Sequence, residues 1–126
     1  KSIDFASGLP IDKDLLAEGT QLQIHHIFPQ SILPTMGYDK DKINTIANYA
    51  LITASTNLEI SNKAPKDYLP YYLEKTPQAL ESNWIPTDQT LWEYDNYETF
   101  LSVRRELLAK AANELLHSLN PNHPTE

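Results

Sequence analysis

Cysteine is absent from the 126 residues. That excludes disulfides and thiolate metal sites, and it suits a reducing compartment, so a cytoplasmic location is expected. No run of about 18 apolar residues occurs, so no membrane-spanning helix is expected. The opening segment KSIDFASGLP lacks the apolar stretch of a signal peptide, and it lacks an initiator Met. On that ground the chain is expected to be the C-terminal fragment of a longer protein. An excess of basic charge is missing as well: the net charge is −7, which speaks against a free-standing nucleic-acid binder. The acidity is uneven, however. Between residues 21 and 66, Lys40, Lys42, Lys63 and Lys66 face only Asp39, Asp41 and Glu59, and most of the acidic excess lies beyond residue 66. Affinity for a polyanion would have to come largely from elsewhere. Internal repeats and low-complexity segments are also lacking.

What is present suits one compact domain over residues 1–126, with 40% apolar residues to fill a single core. Gly8-Leu9-Pro10 reads as a turn, and Asp12–Glu18 as a short helix stopped at Gly19. Gln21 to His25 alternates polar and apolar residues, as a strand does, and Pro29 limits its extension. Residues 34–43 read as a loop. Tyr49 to Thr53 forms a second strand candidate, and Ser55 can cap a helix from about Thr56. Pro65 is expected to end that helix, with another over Lys66–Glu74. Residues 76–95 read as irregular structure, with Trp84 and Trp92 in the core. Asp95 followed by Glu98 resembles a capping box. It opens an amphipathic helix over 96–119 whose stripe is Phe100, Val103, Leu107, Leu108, Ala111, Leu115 and Leu119. The fold class expected is α+β, mostly helical.

Chemistry concentrates in IHHIFPQSIL, INTIANYALITASTN and ISNKAP. Adjacent His25 and His26 on one strand point to opposite sides. One can hold a metal ion while the other faces a water molecule, if the strand end bends. Neutral histidine is suited to accepting a proton near pH 7, and a divalent cation to stabilising charge on a phosphodiester. Asn57, near a helix start, can supply an amide oxygen as second ligand. An ordinary His-His pair without function remains the alternative on these residues alone.

His25-His26-Ile27-Phe28-Pro29, then Asn48, then Asn57 nine residues later, resembles the HNH (ββα-metal) nuclease motif. The wider chain, through ISNKAPKDYL, WIP and YETFLSVRRELLAKAANELL, resembles the C-terminal HNH domain of GmrSD-type modification-dependent restriction endonucleases. The resemblance implies a ββα-metal motif over about 21–66 with surrounding helices. It implies a metal-dependent endonuclease acting on DNA, with RNA not excluded, that leaves a 5′ phosphate and a 3′ hydroxyl. It further implies an N-terminal nucleotide-hydrolysing domain in the same protein. His25 and Asn57 align with the metal ligands, His26 with the general base, and Asn48 with the residue that fixes the His-bearing loop. The first ligand is His where many relatives carry Asp, and Ser61 stands where some carry a third ligand. The pair therefore lacks a carboxylate. Mg²⁺ is the expected cation, with Mn²⁺ or another transition metal open. A degenerate domain that binds nucleic acid or a partner without cutting is the alternative. A closed structural metal site is disfavoured without cysteine.

Around the motif, Asn62 is a candidate for metal or phosphate contact against a cap or turn role, and Asn44 also flanks it. Lys63, Arg104 and Arg105 are candidate phosphate ligands, against solvated or ion-paired roles. Tyr68, Tyr71 and Tyr72 can stack on bases, but packing is the stronger reading. His117 is expected at a helix end and His123 in the tail.

Overall fold

The computed structural model describes residues 3–5, 7–8, 10–11 and 21–119. The expected helix over Asp12–Glu18 and the residues after 119 lie outside them. The fold is mostly helical α+β with one small sheet. Strand β1 (Leu22–His26) pairs antiparallel with β2 (Tyr49–Thr53), setting His25 opposite Ala50 and His26 opposite Tyr49. β1 runs one residue beyond the expected strand and so includes both histidines.

The segment between the strands is more ordered than a loop. Pro34 helps start a 3-10 turn over Leu33–Met36, which Gly37 closes at φ 90°. The Asp39 side chain accepts from Lys42 N at 3.0 Å and caps α1 (Lys40–Ile43). A second 3-10 turn, Ile46–Asn48, leads into β2. These are single turns, of which only α1 carries a side-chain cap, and apolar periodicity does not reveal elements so short.

Helix α2 (Ala54–Ile60) begins earlier than expected, capped by Thr53 rather than Ser55. Thr53 is the last strand residue and already extended, so its hydroxyl can accept from Thr56 N. Pro65 does not end this helix; it opens α3 (Pro65–Lys75), and Pro77 likewise opens α4 (Pro77–Ser82) inside the stretch expected to be irregular. Proline suits a first helical turn, where its missing N–H costs nothing. Helix α5 (Tyr97–Leu119) follows two 3-10 turns, and Asp95 lies in the second of them rather than at its cap.

The core gathers where β1 ends. The Phe28 ring meets Tyr94, Tyr97 and Phe100 with centroids 5.6, 5.0 and 4.9 Å away. Edge-on packing of this kind adds to simple area burial. Trp92 is buried, as expected, and donates from Nε1 to Pro86 O at 2.8 Å. Trp84 is not in the core: it is 39% exposed. It takes a left-handed φ of 53° just after α4, and the reversal turns Ile85 inward in its place. Of the expected stripe on α5, Phe100 is buried while Leu115 and Leu119 stay exposed; Leu101, outside the stripe, is buried as well. The helix outruns the body it packs on.

One buried cation ties α5 to the sheet. Arg104 is 3% exposed, and its guanidinium donates to the carbonyls of Ile46, Ala47, Tyr49 and Asn83. Burial lowers its pKa to about 10, which still leaves it charged near neutrality. Arg104 is therefore withdrawn from the candidate phosphate ligands, because it is buried and both its Nη1 and Nη2 groups donate to backbone carbonyls. Arg104→Leu is expected to lower the free energy of unfolding by about 3–5 kcal/mol, since it strands several buried carbonyls. Urea denaturation checks this; a loss below about 1 kcal/mol would contradict the bracing role.

Candidate functional site

His25 lies on the buried side of β1 and is 4% exposed. Its Nδ1 stands 3.2 Å from Asn57 Oδ1, and its Nε2 stands 2.9 Å from the Tyr68 hydroxyl. Asn57 reaches it from the middle of α2, and Gln23 Oε1 accepts from Asn57 Nδ2 at 2.6 Å. That contact turns the amide so that its oxygen faces the ring. Helix α2 is itself anchored by buried Asp4, which accepts from Thr53 N at 2.9 Å and Thr56 Oγ1 at 2.6 Å. Burial alone would raise the Asp4 pKa. The hydrogen bonds from Thr53, Thr56 and Ser7 outweigh it and leave the pKa lowered.

His26 turns the other way, as strand alternation requires, and is half-buried. Its ring packs edge-on against Tyr49, centroids 5.0 Å apart. Nε2 lies 2.8 Å from Asn44 Oδ1, and Nδ1 lies 3.4 Å from Gln30 Nε2. Both histidines nevertheless border one open groove of about 540 Å³, shared with Asn57, Gln30, Ser61 and Asn62. The chain leaves β1 immediately after His26, and this brings the two rings to a common opening.

Asn48 touches neither ring. Its Oδ1 accepts from Phe28 N at 2.8 Å, and its Nδ2 donates to Phe28 O at 3.0 Å and Ile43 O at 3.1 Å. Its backbone carbonyl accepts from Ile27 N at 2.8 Å. The side chain thus grips the backbone just after His26 and just before Asn44.

Among the other sequence candidates, Asn62 lines the groove. Lys63 is exposed beside a neighbouring cleft with Glu59 and Asp67. Arg105 is exposed on α5. Tyr68 and Tyr72 are buried, as the packing reading expects, while Tyr71 is 52% exposed. Three participants escaped sequence reasoning: Asn44 as the partner of His26, Tyr68 as the partner of His25, and Gln23 beneath Asn57. Asn44 flanks the motif, but no spacing rule ties it to His26. Tyr68 lies 43 residues from His25 and meets it only through the packing of α3.

The donor set can be tested against a cation. Ligand atoms held at about 2.0–2.6 Å from one ion stand roughly 3–3.5 Å apart, and the 3.2 Å between His25 Nδ1 and Asn57 Oδ1 fits. Among the described residues no group of three or more His, Asp or Glu side chains gathers in metal-binding range. The imidazole–amide pair brings two donor atoms to the spacing that a shared ion would require.

A two-stranded ribbon carrying paired histidines, with an Asn-bearing helix beside it, is thus set within a mostly helical α+β fold. The family of C-terminal domains of GmrSD restriction endonucleases matches residues 4–111, and the chain belongs to that family. It is also similar to the uncharacterized protein MJ0686 of Methanocaldococcus jannaschii, at 25% identity over 76% of this chain. The match takes in 21% of that protein, so the chain spans about a fifth of its relative's length. No solved structure matches.

Burial lowers the His25 pKa to about 4; the Asn57 contact opposes the shift and nearby His26 adds to it. The ring is neutral at pH 7, as ligation requires. An unfolded histidine titrates near 6.5. Between the two values the unfolded chain binds a proton that the folded chain refuses, so stability falls as pH falls. Metal-free protein is expected to lose up to about 3 kcal/mol from this group between pH 6.5 and pH 4. Urea midpoints at pH 7 and pH 5 test this. The slope should flatten in His25→Gln, and an equal slope in that variant would contradict the assignment.

Proposed function

We propose that this chain is a metal-dependent HNH endonuclease domain that hydrolyses phosphodiester bonds in DNA. In this reading β1, β2 and α2 are the ββα-metal unit and residues 1–126 form one domain. It works in the cytoplasm, in a longer protein whose N-terminal part hydrolyses nucleotides. The observation that carries the proposal is the meeting of His25 Nδ1 with Asn57 Oδ1 at 3.2 Å, on a groove that His26 also borders. Membership of a restriction-endonuclease family supports the same reading.

His25 and Asn57 would hold the divalent cation, Mg²⁺ or Mn²⁺, which when bound supplies charge stabilisation to the phosphate oxygens and the departing 3′ oxygen. The remaining work falls to the chain. His26 Nδ1 takes a proton from water as the water oxygen forms its bond to phosphorus. The bond from phosphorus to the 3′ oxygen breaks, leaving a 5′ phosphate and a 3′ hydroxyl. Asn44 Oδ1, at 2.8 Å, holds the proton on Nε2, leaves Nδ1 as the acceptor, where the attacking water would replace the long 3.4 Å contact from Gln30 Nε2, and stabilises the imidazolium that forms. Asn48 holds both the His26 and the Asn44 backbone in register. Asn62, which lines the groove, and Lys63, in the neighbouring cleft, are the groups proposed to meet substrate phosphate. Arg105 stands farther along α5, and the acidic balance assigns most DNA affinity to the rest of the protein.

His26→Ala in the full-length protein is expected to reduce DNA cleavage by about 10²–10⁴-fold while metal and DNA binding persist. Asn48→Ala should also be impaired, through misplacement of the same ring. Near-normal cleavage by His26→Ala would remove the mechanism. A wild-type protein that binds DNA but never cuts it, whichever divalent metal is supplied, would establish the non-cutting domain instead.

A further inference from the structure

We propose that Tyr68 is a positioning residue that fixes the tautomer of His25, presenting a bare Nδ1 to the metal. The proposal rests on the metal-site reading above and adds to it the atom that ligates and the group that selects it.

Tyr68 is buried, and its hydroxyl has one hydrogen and two partners. One partner, the carbonyl of Ile27 at 2.7 Å, can only accept. The hydroxyl hydrogen is therefore committed to Ile27. The other partner, His25 Nε2 at 2.9 Å, must then be the donor. A neutral imidazole carries a single N–H, so Nδ1 is left with an open lone pair. That lone pair faces Asn57 Oδ1 across 3.2 Å, and an amide oxygen has no hydrogen to offer. Two acceptors face each other with no proton between them, which is an arrangement that a cation satisfies and a hydrogen bond does not.

Tyr68 acts on backbone and side chain at once. Ile27 lies two residues after His25, so the same hydroxyl pins the strand exit and the ring. The rings also meet edge-on, centroids 5.6 Å apart. Tyr72, one turn along α3, provides the contrast: its hydroxyl is equally committed, but to Glu59 Oε1 at 2.9 Å, away from His25. Outer partners that orient a ligating histidine typically govern metal affinity by about 10–100-fold.

The test uses the full chain with ¹⁵N-labelled histidine, whose two-bond proton–nitrogen correlations report the tautomer in the metal-free state. Wild-type His25 is expected to carry its proton on Nε2. In Tyr68→Phe the acceptor is gone, and the proton should move wholly or partly to Nδ1, where Asn57 Oδ1 can accept it. Mn²⁺ affinity by calorimetry should fall about 10–100-fold in the same variant. Tyr72→Phe, which loses a comparable hydroxyl contact, should change neither readout. Protonation at Nδ1 in the wild-type protein would overturn the proposal whether or not the variant folds. A folded Tyr68→Phe with unchanged tautomer and unchanged Mn²⁺ affinity would overturn it as well. A wild-type protein that fails to bind Mn²⁺ would instead overturn the metal-site reading, and the positioning role with it.

Discussion

The buried amide of Asn48 is the contact on which the rest of the site depends. Its three side-chain hydrogen bonds join the exit of β1 at Phe28 to the end of α1 at Ile43. Removing it would leave three backbone groups unpaired in the interior, each at a cost of about 1–3 kcal/mol. The Arg104 guanidinium holds the carbonyls of Ile46, Ala47 and Tyr49, along the turn that carries Asn48 and just after it. Two buried polar side chains thus fix an irregular stretch of backbone that a sheet of two strands cannot fix alone. His26 and Asn44 inherit their 2.8 Å contact from that rigidity.

The two adjacent histidines are given different environments by one alternation of the strand. His25 faces inward among Tyr68 and Asn57, where burial keeps it neutral. His26 faces outward with only an edge-on tyrosine and two amides about it. A ligand benefits from the first setting, because a proton would compete with the metal. A base benefits from the second, because it must exchange protons with solvent on every turnover. Neither histidine needs a carboxylate partner: amide oxygens from Asn57 and Asn44 supply the polar contacts, which keeps the groove from accumulating negative charge where a phosphate would enter.

Much of this was legible in the sequence, for identifiable reasons. Alternating residues from Gln21 and the apolar run from Tyr49 located both strands, and the spacing of Asn48 and Asn57 after the His pair carried the candidate site. The legible part consists of local periodicity and fixed intervals along the chain. What escaped depends on contacts between distant segments or on single-turn caps. Arg104 reads as a surface cation because arginine usually is one; only the four carbonyls gathered around its guanidinium make its burial tolerable. Trp84 reads as core by its size, whereas a left-handed turn after α4 sends it outward and Ile85 inward. Pro65 reads as a stop and Pro77 as part of an irregular stretch, although both open helices, at the position that welcomes proline. Tyr68 had no signature at all, since its role comes from the packing of α3 against β1.

The central claim is that one imidazole and one amide from this chain hold the catalytic cation. Electron spin-echo spectroscopy of Mn²⁺ bound to the full chain counts the histidine nitrogens attached to the ion. The account predicts a single directly coordinated imidazole nitrogen, lost in His25→Ala and retained in His26→Ala. No imidazole coupling, two coupled imidazoles, or a coupling that survives in His25→Ala would contradict it.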